Sequence, residues 1–301
     1  MKQRIRPLLI VITGPTASGK TSLAIDVARR LRCEIISADS RQIYRDIPIG
    51  TAAPTSDELN AVKHHLVGTH NLADYYSGAQ FESDALRLLP DLFNRSDGYA
   101  VVCGGSMMYV DALINGIDDM PTVSDEVRAK VMRLFEQQGT EGLLALLEIT
   151  DPEYFRIVDR SNLKRVMHAL EISMEAGVPY SALRTGEKAV RPFDILKFAI
   201  DVPREILFER INRRVDNMIT EGFINEAKRV EVNRHHNSLN TVGYKELFTW
   251  FDGGMDYETA VARIKKNTRV YAKKQLTWLK KDPSVIWLKY PASADDITSR
   301  L

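Results

Sequence analysis

Residues 14–21 read Gly-Pro-Thr-Ala-Ser-Gly-Lys-Thr, a complete Gly-x-x-x-x-Gly-Lys-Thr loop, and an apolar run at 8–12 leads straight into it. A strand that feeds a glycine-rich turn and then a helix start aims several backbone N–H groups at one point, where the helix dipole adds partial positive charge. The chain is thereby committed to a strand-loop-helix opening and to a ligand that carries phosphate, with ATP the default guess. Gly14, Pro15, Thr16, Ala17, Ser18, Gly19, Lys20 and Thr21 are the candidate phosphate-binding residues. The loop by itself leaves open which compound binds and which bond breaks.

The rest of the chain continues this opening. Leu23, Ala24, Val27, Ala28 and Leu31 recur at helical spacing, and the β-branched pair Ile35 and Ile36 then leads to Asp39. Further strands are predicted at 65–67, 100–103, 196–200 and 285–288, with helical patterns between most of them. The fold class is therefore α/β, a P-loop NTPase-like parallel sheet that draws on both ends of the chain. Between Asp119 and Arg191 the residues favour helix, at 124–138, 140–148 and 163–176, and Pro121 and residues 186–192 break the pattern. The expected organisation is a core of 1–118 and 192–301 with C-terminal helices, holding a helical insertion domain of 119–191. Two long helices are predicted at 204–233 and 257–281. Met107, Met108 and the apolar stretch 247–251 are expected in the core.

Lysine and arginine number 41 against 40 aspartates and glutamates, so a polyanionic partner must be met by a local patch rather than by net charge. Cys33 and Cys103 sit in apolar runs without metal-ligand spacing and read as buried free thiols, which fits a reducing cytoplasm. Neither of the two His-His pairs has a further ligand at suitable spacing. Lys2, Arg4 and Arg6 precede an apolar stretch too short for a signal peptide, and no run approaches a membrane span.

Three constellations carry chemistry. In ATPases and GTPases a second strand usually ends in an aspartate that helps hold magnesium, but here the strand at 100–103 ends in Gly104-Gly105-Ser106. The acid closes the neighbouring strand instead, as Asp39. A carboxylate near the phosphate yet separate from it suits a general base on an acceptor nucleophile; a carboxylate that bonds a water held by magnesium, or a helix cap, is the alternative. Second, Arg210 and Arg214 share a helix face, with Arg213 beside them, and could clamp departing phosphate or simply be solvated. Third, residues 263–281 hold Arg263, Lys265, Lys266, Arg269, Lys273, Lys274, Lys280 and Lys281 and no acid. Ile264, Tyr271, Gln275 and Trp278 are expected to face inward and the basic residues outward, as a salt-sensitive polyanion stripe or as an ordinary soluble face.

These residues, in this order, closely resemble the bacterial tRNA dimethylallyltransferases. The likeness rests on the loop at 14–21, Asp39-Ser40-Arg41-Gln42-Ile43-Tyr44, Ile49-Gly50-Thr51-Ala52, Gly104-Gly105-Ser106 through Tyr109, Arg165 with Ala169-Leu170-Glu171, Arg214 with Met218 and Gly222, Val242-Gly243-Tyr244, and Lys274-Gln275-Leu276-Thr277-Trp278-Leu279. It spans nearly the whole chain. The resemblance implies transfer of a dimethylallyl group from dimethylallyl diphosphate to N6 of adenosine 37, beside the anticodon of tRNAs reading codons that begin with U. It assigns the diphosphate to the loop and Arg214, Mg2+ to the neighbourhood of Thr21, and the base to Asp39, with Lys20, Thr21 and Arg214 as the other catalytic groups. For the tRNA anticodon stem-loop it implies contacts from Asp39, Ser40, Arg41, Gln42, Ser106, Arg128, Ser161, Asn162, Leu163, Lys164, Arg165, Thr241, Val242, Gly243, Tyr244, Lys245, Lys273, Lys274 and Gln275. A cytoplasmic monomer is expected. The chain departs from the family pattern at Ala53, where a lysine is usual, at Ser161-Asn162, where Asn-Asp is usual, and at 68–73.

Rival readings are the same transfer onto free adenine nucleotides, a small-molecule kinase, and a nucleotide-gated RNA-binding module. The basic stretch at 263–281 and the helical insertion favour a large acceptor. Gly104-Gly105 speaks against the kinase.

Overall fold

The computed structural model describes residues 6–301, so Lys2 and Arg4 lie outside the described residues. Strands β1 (Leu8–Thr13), β2 (Ile35–Ser37), β3 (His64–His65), β4 (Tyr99–Gly104), β5 (Asp194–Asp201) and β6 (Val285–Lys289) form one sheet in the order β3-β2-β4-β1-β5-β6. Every pairing is parallel. Parallel sheets are covered on both faces, which is why β1 and β4 are buried at every residue and read as unbroken apolar runs.

Helices α1 (Lys20–Leu31), α2 (Ser56–Ala61), α3 (Gly78–Arg95) and α4 (Met107–Asn115) alternate with the first strands. Helices α5 (Asp125–Thr150), α6 (Pro152–Ile157), α7 (Leu163–Ala176) and α8 (Tyr180–Leu183) follow with no strand between them. Helices α9 (Arg204–Thr220), α10 (Phe223–Val230), α11 (Tyr244–Phe251), α12 (Tyr257–Leu279) and α13 (Asp295–Thr298) complete the order. Two compact units result, one running up to Ile114 and resuming at Val190–Leu301, the other Asn115–Ala189. No described helix is long and apolar enough to cross a membrane.

The Asn115–Ala189 unit is a small helical body around Val131, Leu143, Leu147, Tyr154, Val166, Ala169 and Leu170. Its α5 joins the two helices predicted at 124–138 and 140–148 through a kink at Gly139, whose φ of 63° and ψ of −157° no helix contains. The buried Asp151 carboxylate caps two helices at once, accepting from the Tyr154 amide (2.9 Å), the Ser181 amide (2.7 Å) and the Ser181 hydroxyl (2.6 Å).

The larger unit corrects three expectations. The helix predicted at 204–233 ends at Thr220, because Gly222 takes φ +101° and restarts the chain as α10. Met108 is exposed, whereas Leu247 and Phe248 are core. On α12 the inward positions are Ala260, Ile264, Ala272, Gln275 and Leu279; Tyr271 lies one residue round the helix and is 39% exposed. The outer face is not uniformly solvated either. Lys265 pairs with Asp216 of α9, Arg269 bonds Asn212, and Lys273 lies over the Phe208 ring, so three of the basic residues hold α12 to α9.

Within β5, Lys197 is 4% exposed and its ammonium is paired with Asp282, just after α12. Partial burial alone would raise the Asp282 pKa, but the Lys197 ammonium and the Ser284 hydroxyl and amide outweigh it and hold the carboxyl at about 2. A carboxyl depressed in the folded state contributes fully above its unfolded pKa of about 4 and loses that contribution as pH falls towards 2. Asp282→Ala leaves a buried ammonium unpaired, and denaturant unfolding at neutral pH should show a loss of about 3–5 kcal/mol. The difference from the parent protein should shrink as the pH is lowered from 4 towards 2.

Candidate active site

Strand register brings the chemistry to one edge of the sheet. Thr13 of β1 pairs with Gly104 of β4, and Ser37 of β2 pairs with Cys103, so the phosphate loop, Asp39 and the Gly104-Gly105 turn all leave the sheet at the same level. Ligands in open α/β sheets sit at this carboxyl edge. A crevice of about 530 Å³ opens there, lined by Thr16, Lys20, Thr21, Ser37, Asp39, Ser40, Arg41, Gln42, Gly104 and Arg214 and also by Thr241, Val242, Gly243, Lys245, Tyr271, Lys274 and Gln275. A second cleft of about 640 Å³ shares Lys20, Thr21 and Arg214 with it and adds Arg210 and Arg213.

The loop is held in an unusual backbone path. Gly14, Ala17 and Gly19 have φ of 147°, 63° and 95°. Alanine is strained there, and Arg210 secures it by donating from Nε to the Ala17 carbonyl at 2.7 Å. Lys20 donates to the Pro15 carbonyl at 3.3 Å. Burial lowers the Lys20 pKa and nearby Arg214 adds to this, while the Asp39 carboxylate opposes it.

Asp39 does two jobs with two oxygens. Its Oδ1 accepts from the amides of Arg41 (2.9 Å) and Gln42 (3.3 Å), capping the turn after β2. Oδ2 has no hydrogen-bond partner among the described residues, and Asp39 lines the crevice. No acid could stand at the end of β4. A Cβ on Gly104 would lie 2.0 Å from the Ala38 carbonyl oxygen, and one on Gly105 would lie 2.4 Å from Gln275 Nε2. Cys103, at the crevice floor, is a neutral thiol, its pKa pushed up to about 11 by burial.

Arg210, Arg213 and Arg214 of α9 divide. Arg210 braces the loop, Arg213 pairs with Glu209 at the surface, and Arg214 lines the crevice with its guanidinium on the Thr51 carbonyl at 3.2 Å. Burial lowers the Arg214 pKa, and the Asp39 carboxylate opposes that.

Several residues assigned to RNA by resemblance are spent inside the protein. Gln275 is 3% exposed; its Oε1 accepts from the Thr16 amide (2.9 Å) and its Nε2 donates to the Gly105 carbonyl (2.8 Å), so its amide ties α12 to the loop at the crevice wall. Tyr244 has no exposed surface and donates its hydroxyl to Glu226. Buried Ser106 accepts from the Ser40 amide at 2.8 Å, and Lys273 lies over Phe208, away from the crevice lining. Tyr271, expected inside, is instead an aromatic of the crevice wall that helical spacing alone misplaced by one position.

Arg128, Ser161, Asn162, Leu163, Lys164 and Arg165 belong to the Asn115–Ala189 unit. There Asn162 caps α7 through the Arg165 amide, the Ser161 hydroxyl donates to Asp159, and Arg128, Lys164 and Arg165 are exposed.

A parallel sheet whose first strand runs into a Gly-x-x-x-x-Gly-Lys-Thr loop at its carboxyl edge defines a P-loop α/β protein. The family profile described as IPP transferase matches residues 42–282. The chain is 50% identical over 295 residues to tRNA dimethylallyltransferase 1 of Bacteroides thetaiotaomicron, covering 98% of this chain and 95% of the relative. It is 49% identical over 293 residues to tRNA dimethylallyltransferase 2 of Parabacteroides distasonis, covering 97% of each. Among solved structures, the full-length tRNA isopentenylpyrophosphate transferase of Bacillus halodurans is similar with a TM-score of 0.69 at 34% identity, over 94% of this chain and 90% of that one. A eukaryotic dimethylallyltransferase acting on tRNA gives 0.81 at 26% identity, over 97% and 75%. The chain belongs to the IPP transferase family.

If Gln275 shapes the loop, Gln275→Ala should weaken binding of inorganic diphosphate about 5–10-fold, the worth of one or two net hydrogen bonds. Affinity for an RNA stem-loop should stay within about 2-fold, as isothermal titration of each ligand would register. The opposite pattern would return Gln275 to direct RNA contact.

Proposed function

We propose that the protein is a tRNA dimethylallyltransferase, moving a dimethylallyl group from dimethylallyl diphosphate to N6 of adenosine 37 in tRNAs that read codons beginning with U. One observation carries this reading: among the described residues the crevice joins a phosphate loop to one carboxylate oxygen without a hydrogen-bond partner, on Asp39, and has no acid at the end of β4. Phosphoryl transfer commonly uses that missing acid to hold magnesium. A diphosphate that only departs has less need of it. The curated relatives, at about half identity over nearly the full length of both chains, bear the same activity in their names.

The exocyclic amine of adenine is a poor nucleophile, since its lone pair is delocalised into the ring. Asp39 Oδ2 takes its proton as the nitrogen–carbon bond forms. The allylic carbon–oxygen bond breaks, and its electron pair leaves on diphosphate. Lys20, the backbone amides at the start of α1 and Arg214 meet that charge in a partly dehydrated site. Their shared position between the two clefts suits two reactants that meet at one diphosphate seat. The seat also fits Mg2+. The Thr21 residue lines both clefts, no cluster of three His, Cys, Asp or Glu forms a protein cage among the described residues, and magnesium readily takes one protein oxygen with the rest from phosphate and water. Bound there, it would neutralise diphosphate charge.

Adenine must leave its stack to reach Asp39. Ser40, Arg41, Gln42, Thr241, Val242, Gly243, Lys245 and Lys274 are the proposed RNA contacts of the crevice wall; within the Asn115–Ala189 unit, Arg128 and residues 161–165 are the proposed RNA contacts. The proposed setting is the cytoplasm, with the protein acting as a monomer.

Labelled dimethylallyl diphosphate and labelled ATP, each offered with unmodified tRNA or with AMP, separate the candidates. Label from dimethylallyl diphosphate should appear on tRNA alone. Asp39→Ala should slow single-turnover transfer by at least about 100-fold; a rate within a few-fold of the parent would remove Asp39 as the base.

A further inference from the structure

Glu226 of α10 takes no part in the chemistry above, yet it is a 1% exposed carboxylate with no ion pair among the described residues. Burying such a charge is costly unless hydrogen bonds meet it. Three do: Oε1 accepts from the Gly50 amide (2.7 Å) and the Tyr244 hydroxyl (2.6 Å), and Oε2 accepts from the Ile49 amide (2.9 Å).

The loop held in this way runs directly into the site. The next carbonyl, of Thr51, accepts from Arg214 (3.2 Å) and from Gln42 Nε2 (3.3 Å), and the Ala52 carbonyl also accepts from Gln42 (2.9 Å). The loop is pressed onto its support as well. A Cβ at Gly50 would lie 2.2 Å from the Phe223 ring and 2.4 Å from the Tyr244 hydroxyl oxygen, so only glycine allows the approach.

We propose that Glu226 is a positioning residue: by fixing residues 49–51 it sets the carbonyl that holds Arg214, and so aims the guanidinium at the departing diphosphate. This rests on the proposed transferase reading for the identity of the leaving group, while the placement of Arg214 can be tested without it.

A double-mutant cycle of Glu226→Gln and Arg214→Gln distinguishes this role from general support of the fold. Glutamine keeps the shape but presents a donor where the loop amides and Tyr244 also donate. Glu226→Gln alone should lower single-turnover transfer about 10–100-fold, the scale of a small misplacement. In the Arg214→Gln background it should add less than about 3-fold, since residues acting through one another are not additive. The Kd for inorganic diphosphate, measured on the same four proteins, should follow the same pattern. Losses that multiply in both measurements would overturn the proposal. If the parent protein transfers no label, the transferase reading falls and the diphosphate cycle still decides the role of Glu226. Should Glu226→Gln not fold, Tyr244→Phe removes one donor and keeps the carboxylate. It should show a smaller loss that again vanishes without Arg214, and a loss that persists there would equally overturn the proposal.

Discussion

Parallel register is the constraint on which the site depends. Because Thr13 stands beside Gly104 and Ser37 beside Cys103, three loops with unrelated sequences leave the sheet at one height and must share one volume. The close approach has a cost in side chains. Gly104 lies against the Ala38 carbonyl and Gly105 against Gln275, so the second strand end has no room for an acid, and the carboxylate that lines the crevice beside the phosphate loop is Asp39, from the end of β2. Backbone crowding thus separates this site from phosphoryl-transfer sites of the same architecture.

Much of the remaining polar chemistry serves to hold the loops rather than to touch a ligand. Arg210 fixes the strained Ala17, Gln275 joins the loop to the β4 turn, and Glu226 fixes the segment that carries Thr51. Each spends a charged or amide side chain on backbone groups that have left regular structure and would otherwise lie buried without partners. Arg214 and Asp39 are then free to keep part of their bonding capacity unspent. Asp39 shows this within one residue, with one oxygen closing a turn and the other left to the crevice.

The basic helix α12 shows how one element serves two ends. Its inner face carries Gln275 onto the phosphate loop, its side against α9 uses Lys265, Arg269 and Lys273, and its crevice side presents Tyr271 and Lys274. A run of positive charge in the sequence is therefore not one surface. Neighbouring helices sort it by angle, and only part of it remains for a polyanion.

The local chemistry is legible in the amino-acid order: the phosphate loop after a buried strand, the alternation that makes a parallel sheet, the acid at the end of β2 and the family pattern that joins them. These are legible because they depend on spacing within a few residues, which the chain's own geometry enforces. The tertiary structure alone decided which like residues differ in role. No spacing rule tells Arg210 from Arg214, sends Tyr244 inward while turning Tyr271 out to the crevice, or gives the buried Glu226 its three donors. Those assignments depend on contacts between segments up to 259 residues apart, such as Gln275 on Thr16. Periodicity can define a helix face, but only packing defines what that face meets.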